Sequence, residues 1–201
     1  LVTGGAGFIG SHFIRILLAE EADAQVVNLD VLTYAGNLAN LADVASSPRY
    51  RFVRGDIREM KVAQELAADA DWIVNFAAES HVDRSTKARA GEFIDTNVYG
   101  AYVMLEATRQ VNRGARFLQV GTDEVYGDVP FPEFPTEQAM LAPSSPYSAA
   151  KAGADHIALA FHRTHQMDVI VSRCTNNYGP NQYPEKIVPL FVTNALEGDP
   201  L

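Results

Sequence analysis

Glycine crowds the first ten residues, Leu-Val-Thr-Gly-Gly-Ala-Gly-Phe-Ile-Gly, and no other stretch restricts the fold as tightly. Leu1 to Thr3 read as the end of a buried strand. Gly4, Gly7 and Gly10 follow, with Gly5 between them, and Phe8, Ile9, Phe13, Ile14, Leu17 and Leu18 then make an apolar helical run. Glycine permits the tight strand-to-helix turn and lets the backbone approach a ligand closely. The helix start behind it offers unpaired N–H groups and the positive end of a dipole, which together suit a pyrophosphate. A second strand, Gln25 to Leu29, delivers Asp30 at the distance from the glycines where a dinucleotide fold sets an acid on the adenosine ribose. A strand before, a helix after and an acid at the right remove turn a weak glycine pattern into a dinucleotide site.

Asp30 also bears on the cofactor. A carboxylate accepts hydrogen bonds from two ribose hydroxyls and repels a 2′-phosphate, so NAD is expected rather than NADP. Without the glycines upstream, the same residue reads as a solvated strand-end acid.

The rest of the chain repeats the opening step. Strands are expected at Tyr50 to Arg54, Trp72 to Phe76, Ala115 to Val120 and Val169 to Cys174. Helices are expected at Glu59 to Ala68, Gly91 to Asn112 and Tyr147 to His165, with a helix or turn before Ser46 and a loop then helix after Tyr183. Short βα steps of this kind predict an α/β fold, a doubly wound parallel sheet. Ligands in such sheets sit at the carboxyl ends of the strands. Gly4, Asp30, Asp56, Ala77, Thr122 and Asn176 all fall there, which predicts one cleft.

Composition narrows the partners. A formal net charge of −9 and the lack of a basic tract argue against nucleic acid. The 201 residues contain one cysteine, Cys174, so no intramolecular disulfide forms, and a reducing, cytoplasmic setting is expected. No apolar stretch reaches membrane-spanning length. The chain opens without Met in what reads as mid-strand, so a fragment of a longer protein is expected.

Tyr147 and Lys151 lie one helical turn apart on one face. A neighbouring cation stabilises a phenolate, so Tyr147 is expected to have its pKa lowered toward the range of a general base. Thr122 can hold a substrate oxygen. Base, cation and hydroxyl beside a nicotinamide suit removal of a proton from an alcohol as hydride leaves its carbon. His162 and His165, one turn apart, lack an evident third ligand and read as surface, so no metal is expected.

These motifs resemble those of the extended short-chain dehydrogenase/reductase superfamily, and most closely its dTDP-glucose 4,6-dehydratases. The likeness runs through Thr3–Gly10, Asp30–Asn37, Ala77–Ser85, Thr122–Gly127, Tyr147–Lys151, Asn176–Pro180 and Pro184–Lys186, nearly the whole chain. Its most specific part is Thr122-Asp123-Glu124, since epimerases and decarboxylases of the superfamily generally lack the Asp-Glu pair. The resemblance implies a Rossmann-like domain over residues 1–175 and, from 176 to 201, the start of a smaller substrate lobe whose remainder is missing. It implies NAD contacts from Phe8, Ile9, Asp30, Val31, Leu32, Thr33, Asp56, Ile57, Ala77, Ala78, Glu79, Ser80, Thr96 and Asn177, beside Gly4, Gly7, Gly10, Tyr147 and Lys151. His81, Asn176, Lys186 and Ile187 are implied near the sugar or its diphosphate, with Thr122, Asp123 and Glu124. A homodimer built on the 91–112 and 147–165 helices is also implied. Gly121 departs from the pattern, standing where the family often has Ser.

The implied chemistry suits the carboxylate pair. Oxidation at C4 of a hexose acidifies the C5 proton, which Glu124 can remove while a protonated Asp123 donates to the departing C6 oxygen. Hydride return to C6 then gives a 4-keto-6-deoxy sugar. Two alternatives stand beside this reading. One is a nucleotide-sugar 4-epimerase or decarboxylase, which shares the glycine loop and the Tyr-Lys pair. The other is a redox-sensing binding protein, which need not keep Thr122, Tyr147 and Lys151 together.

Overall fold

The structure, a computed structural model, describes residues 1–80, 90–130 and 132–201. Among these residues, six parallel strands carry the fold: β1 (Val2–Thr3), β2 (Val26–Asp30), β3 (Tyr50–Arg54), β4 (Trp72–Asn75), β5 (Arg116–Thr122) and β6 (Val169–Cys174). They lie in the order β3-β2-β1-β4-β5-β6 and every neighbour is parallel. The order reverses at β1, the switch point of a doubly wound, Rossmann-like sheet, and leaves a crevice beyond the carboxyl ends of β1 and β4. The expected fold class is therefore the observed one.

Both faces are covered, so the central strands are largely buried, and the polar residues they carry, Thr3, Asn28, Asn75 and Gln119, are buried with them. On one face α1 (Phe8–Glu20) packs Ile14 and Leu18 against Val2, Val26 and Leu41. On the other, α2 (Met60–Ala67), the helical stretch 90–111 and α5 (Pro146–His165) enclose Leu29, Ile73, Met104, Leu105, Phe117 and Ala158. The edges β3 and β6 are only half-buried.

The long helix expected over Gly91 to Asn112 is three consecutive pieces. A short α3 (Ala90–Phe93) runs into a π-helical segment (Ile94–Gly100), which continues as α4 (Ala101–Val111). Such wide turns cluster at functional sites, and here the widened stretch carries Asn97. Its amide accepts from Glu79 N–H at 2.8 Å and donates to the Glu79 carbonyl at 3.0 Å, fastening the loop after β4. The same stretch passes close to Ile57; a Cβ on Gly100 would lie 2.4 Å from its Cδ1.

Between β2 and β3 the structure forms one 3-10 turn (Leu38–Leu41) rather than an α-helix. Helix α5 begins one residue earlier than expected. Ser145 and Ser148 form a reciprocal capping box, and Pro146 fits the first helical position, where its missing N–H costs nothing. A final helix, α6 (Ile187–Glu197), follows the loop after β6. Among the described residues no helix is long and apolar enough to cross a membrane.

Candidate active site

One cavity of about 660 Å³ runs along the carboxyl ends of the strands. The glycine turn forms its floor at β1. Gly4 has φ +68°, and a Cβ there would sit 2.6 Å from the Ala77 nitrogen. A Cβ on Gly10 would sit 2.5 Å from the Gly4 carbonyl oxygen. Both positions therefore need glycine, one for its left-handed backbone and both for the close approach of loop, helix and β4. Gly7 caps α1 without a side-chain acceptor, so no side chain occupies the helix's first-turn N–H groups. This cradle fits the diphosphate of a dinucleotide.

Asp30 stands at the end of β2, buried, with Oδ2 accepting from Ala6 N–H at 2.9 Å and Oδ1 from Leu32 N–H at 2.8 Å. Burial raises its pKa, and the two backbone donors pull it back. Each carboxylate oxygen keeps a second lone pair for a ribose hydroxyl. Leu32 takes the left-handed region at φ 59° and shapes the loop without lining the cavity. Further along, burial works against ionisation of Asp56, but Arg58 outweighs it with hydrogen bonds at 2.6 to 3.0 Å, and the pKa ends lower than usual.

At the other end, β5 delivers Thr122 into a 3-10 turn (Asp123–Tyr126) that the threonine hydroxyl itself caps by accepting from Glu124 N–H at 3.3 Å. Thr122, Glu124, Tyr147 and Lys151 all line the cavity. Asp123 lies a step behind it, its Oδ1 accepting from the Thr122 hydroxyl at 3.4 Å. Burial raises the Glu124 pKa; Lys186 opposes the shift and Asp123 adds to it.

Tyr147 corrects the sequence reading. Its phenol is pushed up rather than down: burial is the main cause, Glu124, Cys174 and Asp123 add to it, and only a hydrogen bond with Thr122 opposes it. The Lys151 ammonium, one turn on, is buried and donates to the Val120 carbonyl at 2.5 Å. Desolvation lowers the lysine's own pKa, against the pull of Asp155 and Cys174. The protein's own groups thus hold the phenol protonated.

The cavity is also lined by Gly4, Gly7, Phe8, Ile9, Gly10, Val31, Thr33, Ile57, Ala77, Ala78, Glu79, Ser80, Thr96, Asn176, Asn177 and Lys186. Ile187 starts α6 and is 66% exposed, away from the wall. His81 lies outside the described residues. His162 is exposed and its Nδ1 pairs with the Met167 carbonyl at 2.7 Å, while His165 meets Phe161 edge-on at 5.1 Å.

Several wall residues escaped the sequence reading, among them Tyr34, Arg58, Cys174, Tyr183 and Glu185. Tyr34 donates to Glu185 Oε1 at 3.0 Å and meets Tyr183 edge-on at 5.3 Å. With His12 bonded to the Pro180 carbonyl and Lys186 donating to that of Ser80, the 175–186 segment is fastened across the glycine turn. Nothing in a local motif signals contacts spanning some 150 residues. Gly121 has a packing reason: a Cβ there would lie 2.5 Å from the Ser172 carbonyl and 3.0 Å from Asp155 Oδ1.

The comparisons with known proteins agree with this geometry. A dTDP-glucose 4,6-dehydratase of Streptomyces niveus is 52% identical over 98% of this chain and 59% of its own length. A crystal structure of the dTDP-glucose 4,6-dehydratase of Streptomyces venezuelae, with NAD bound, superposes with a TM-score of 0.93 at 54% identity, over 98% of this chain and 62% of that one. A UDP-glucuronic acid 4-epimerase of Bacillus cereus, in complex with UDP-glucuronic acid and NAD, reaches 0.91 at 27% identity, over 100% of this chain and 63% of that one. The chain spans about three fifths of the length of the curated relatives it matches. A family model described as GDP-mannose 4,6 dehydratase matches residues 1–200, and the chain belongs to that family.

Proposed function

We propose that this chain carries the NAD-binding and catalytic residues of a nucleotide-sugar 4,6-dehydratase that acts on dTDP-glucose. The observation that carries the reading is the Thr122–Glu124 turn, which shares one cavity wall with Tyr147 and Lys151. An epimerase needs only the second pair. The identities point the same way, at about half for named dTDP-glucose 4,6-dehydratases and 27% for the epimerase.

Bound NAD would supply the hydride acceptor for C4 and, later, the hydride donor for C6. The glycine cradle would seat its diphosphate, Asp30 its adenosine ribose, and Asp56 and Ile57 its adenine end. Tyr147 would take the proton from the C4 hydroxyl while Thr122 holds that oxygen. Tyr147 would act as the base beside the positive nicotinamide that bound NAD would bring, a charge that favours the phenolate. Glu124 would then remove the C5 proton made acidic by the C4 ketone, and Asp123 would protonate the C6 oxygen as it leaves as water. A hydride to C6 and a proton to C5 complete a 4-keto-6-deoxy sugar with no net redox change. Lys186 and Asn176 suit the sugar diphosphate by charge and position. Residues 1–175 form the NAD-binding unit on this reading, and 176–201 begin the substrate-binding region.

A homodimer through the 90–111 and 146–165 helices fits the exposed apolar residues they carry, among them Ile94, Tyr99, Tyr102 and Leu159. A cytoplasmic setting fits the single, unpaired Cys174. The test is to incubate the intact protein with dTDP-glucose, without added reductant, and follow products by mass spectrometry. Loss of one water supports the dehydratase. No change with dTDP-glucose, but an epimer or loss of carbon dioxide from UDP-sugars, assigns the epimerase or decarboxylase instead.

A further inference from the structure

Behind the two reacting pairs lies a cation that neither uses. Arg173, on β6, has a side chain only 12% exposed, and its Nε donates to Oδ2 of the fully buried Asp155 at 2.8 Å. Its Nη1 donates to the Tyr126 hydroxyl at 2.9 Å and to the Glu137 carbonyl at 3.3 Å, and the guanidinium lies 5.2 Å from the Tyr126 ring centroid. Asp155 follows Lys151 by one turn of α5 and Tyr147 by two, on the same face. Tyr126 closes the 3-10 turn that begins at Asp123. One guanidinium therefore ties the helix bearing Tyr147 and Lys151 to the turn bearing Asp123 and Glu124.

Such a tie has a purpose in a turn this short. The four-residue 3-10 segment has little rigidity of its own. It is held by the Thr122 cap, by a hydrogen bond from Ala142 N–H to the Val125 carbonyl at 3.0 Å, and by Tyr126. A buried ion pair adds little net stability over apolar packing, so its use is more often to specify an arrangement. The planar fork of arginine can hold two partners at fixed angles, which lysine cannot.

We propose that Arg173, acting through Tyr126, is a positioning residue that sets the Asp123–Glu124 pair against Tyr147 and Lys151. Elimination of water then depends on it more than the C4 hydride transfer does. The proposal rests on the dehydratase reading above. Tyr147 and Thr122 act at C4 and are placed by α5 and β5, whereas Glu124 and Asp123 must reach C5 and C6. A misplacement of about 1 Å can cost on the order of 100-fold in rate.

The test uses the intact protein with its dinucleotide bound and two half-reactions. dTDP-xylose, which has no C6 hydroxyl, reports C4 oxidation alone through nicotinamide absorbance; dTDP-glucose reports the full sequence and deuterium uptake at C5 from heavy water. Tyr126→Phe removes the acceptor hydroxyl and leaves the Arg173–Asp155 pair intact. It is expected to slow product formation and C5 exchange by roughly 10- to 100-fold while oxidation stays within about twofold of the parent. Arg173→Lys, which keeps the charge beside Asp155 but cannot fork, should show the same split. Equal losses in both half-reactions, as from a smaller folded fraction, or no loss in either, overturn the proposal. A parent that forms no 4-keto-6-deoxy product overturns the dehydratase reading first, and this proposal with it.

Discussion

The Lys151 ammonium donates to the Val120 carbonyl at 2.5 Å, so the cation expected to serve Tyr147 is anchored to the neighbouring strand. A buried ammonium is costly, and desolvation here lowers its pKa. On the proposed mechanism its place there serves the reaction rather than stability.

Lys151→Met should separate the two. Nicotinamide reduction by the sugar is expected to fall by about 100-fold or more, the usual range when a general base loses its support. The melting temperature should hold or fall only slightly, because the apolar chain relieves the desolvation of a buried ammonium while the Val120 carbonyl loses that donor. Tyr147→Phe should show the same loss of reduction. Stopped-flow absorbance and thermal denaturation measure the pair; a sharp fall in melting temperature with reduction intact would reverse the assignment.

Glu124 gives a signed pH dependence. Its pKa is raised chiefly by burial, with Lys186 opposing and Asp123 adding. The acidic limb of the dehydration profile should therefore lie above the ordinary glutamate value. Lys186→Met should move that limb further up, and Asp123→Asn should move it down. A carboxyl with a raised folded pKa binds its proton more tightly folded than unfolded, so it costs stability as pH rises through the interval between the two values. Glu124→Gln should accordingly be more stable than the parent at neutral pH, the difference vanishing below the unfolded glutamate pKa. Denaturant titrations across that range, with turnover assays beside them, decide it.

Most of the fold was legible because the chain states the same step repeatedly. Apolar runs such as Trp72 to Val74, short and bounded by the polar Asp71 and Asn75, mark strands, and Ile73 and Val74 are buried as such a run predicts. The candidate cluster was legible for a related reason: Thr122 ends β5, Tyr147 opens α5 and Lys151 lies one turn further on, and the topology brings the two element ends together. What sequence could not show depends on side-chain direction. Lys151 reads as Tyr147's partner from its spacing, but the carbonyl that receives it comes from another strand. Asp123 and Glu124 read as a matched pair, yet only Glu124 reaches the cavity wall. The π-helical stretch at Ile94–Gly100 left no signal in the apolar spacing, because what it buries is Asn97 and Gly100 while Ile94 and Tyr99 face outward.

Gly4→Ala tests the cradle. The added Cβ would fall 2.6 Å from the Ala77 nitrogen and would hold an L side chain at φ +68°. The backbone strain alone costs about 1–3 kcal/mol, and the contact is with backbone that has nowhere to move. The variant should melt lower than the parent and lose the stabilisation that added NAD gives. Gly91→Ala, in a helix and with nothing within 4 Å of the new Cβ, is the matched control: it should not lower the melting temperature and should leave the NAD-induced stabilisation unchanged. Thermal scans with and without NAD read both.

Tyr34 and Glu185 make the last prediction, which concerns the dwell time of the cofactor. Their 3.0 Å hydrogen bond joins the loop after β2 to the segment after β6, and the edge-on contact with Tyr183 backs it. Burial and the Glu185 carboxylate together push the Tyr34 phenol up to about 12, so it remains a donor at any working pH. The fastened segment crosses the glycine turn, and on the proposed function a dinucleotide bound between Asp30 and Lys151 would lie beneath it. A reaction that takes a hydride from one carbon and returns it to another of the same sugar gains from a cofactor that stays in place. Tyr34→Phe keeps the ring contact and removes the hydroxyl, and with it the bond to Glu185 and the one shared with Ser80. The loss of the bond to the charged Glu185 alone, about 1.5–3 kcal/mol, corresponds to roughly a 10- to 150-fold faster release of NAD. Exchange of bound NAD against isotopically labelled NAD, followed by mass spectrometry on the intact protein, measures that rate directly. An exchange rate equal to the parent's would mean that the segment closes over the cofactor without the help of Tyr34.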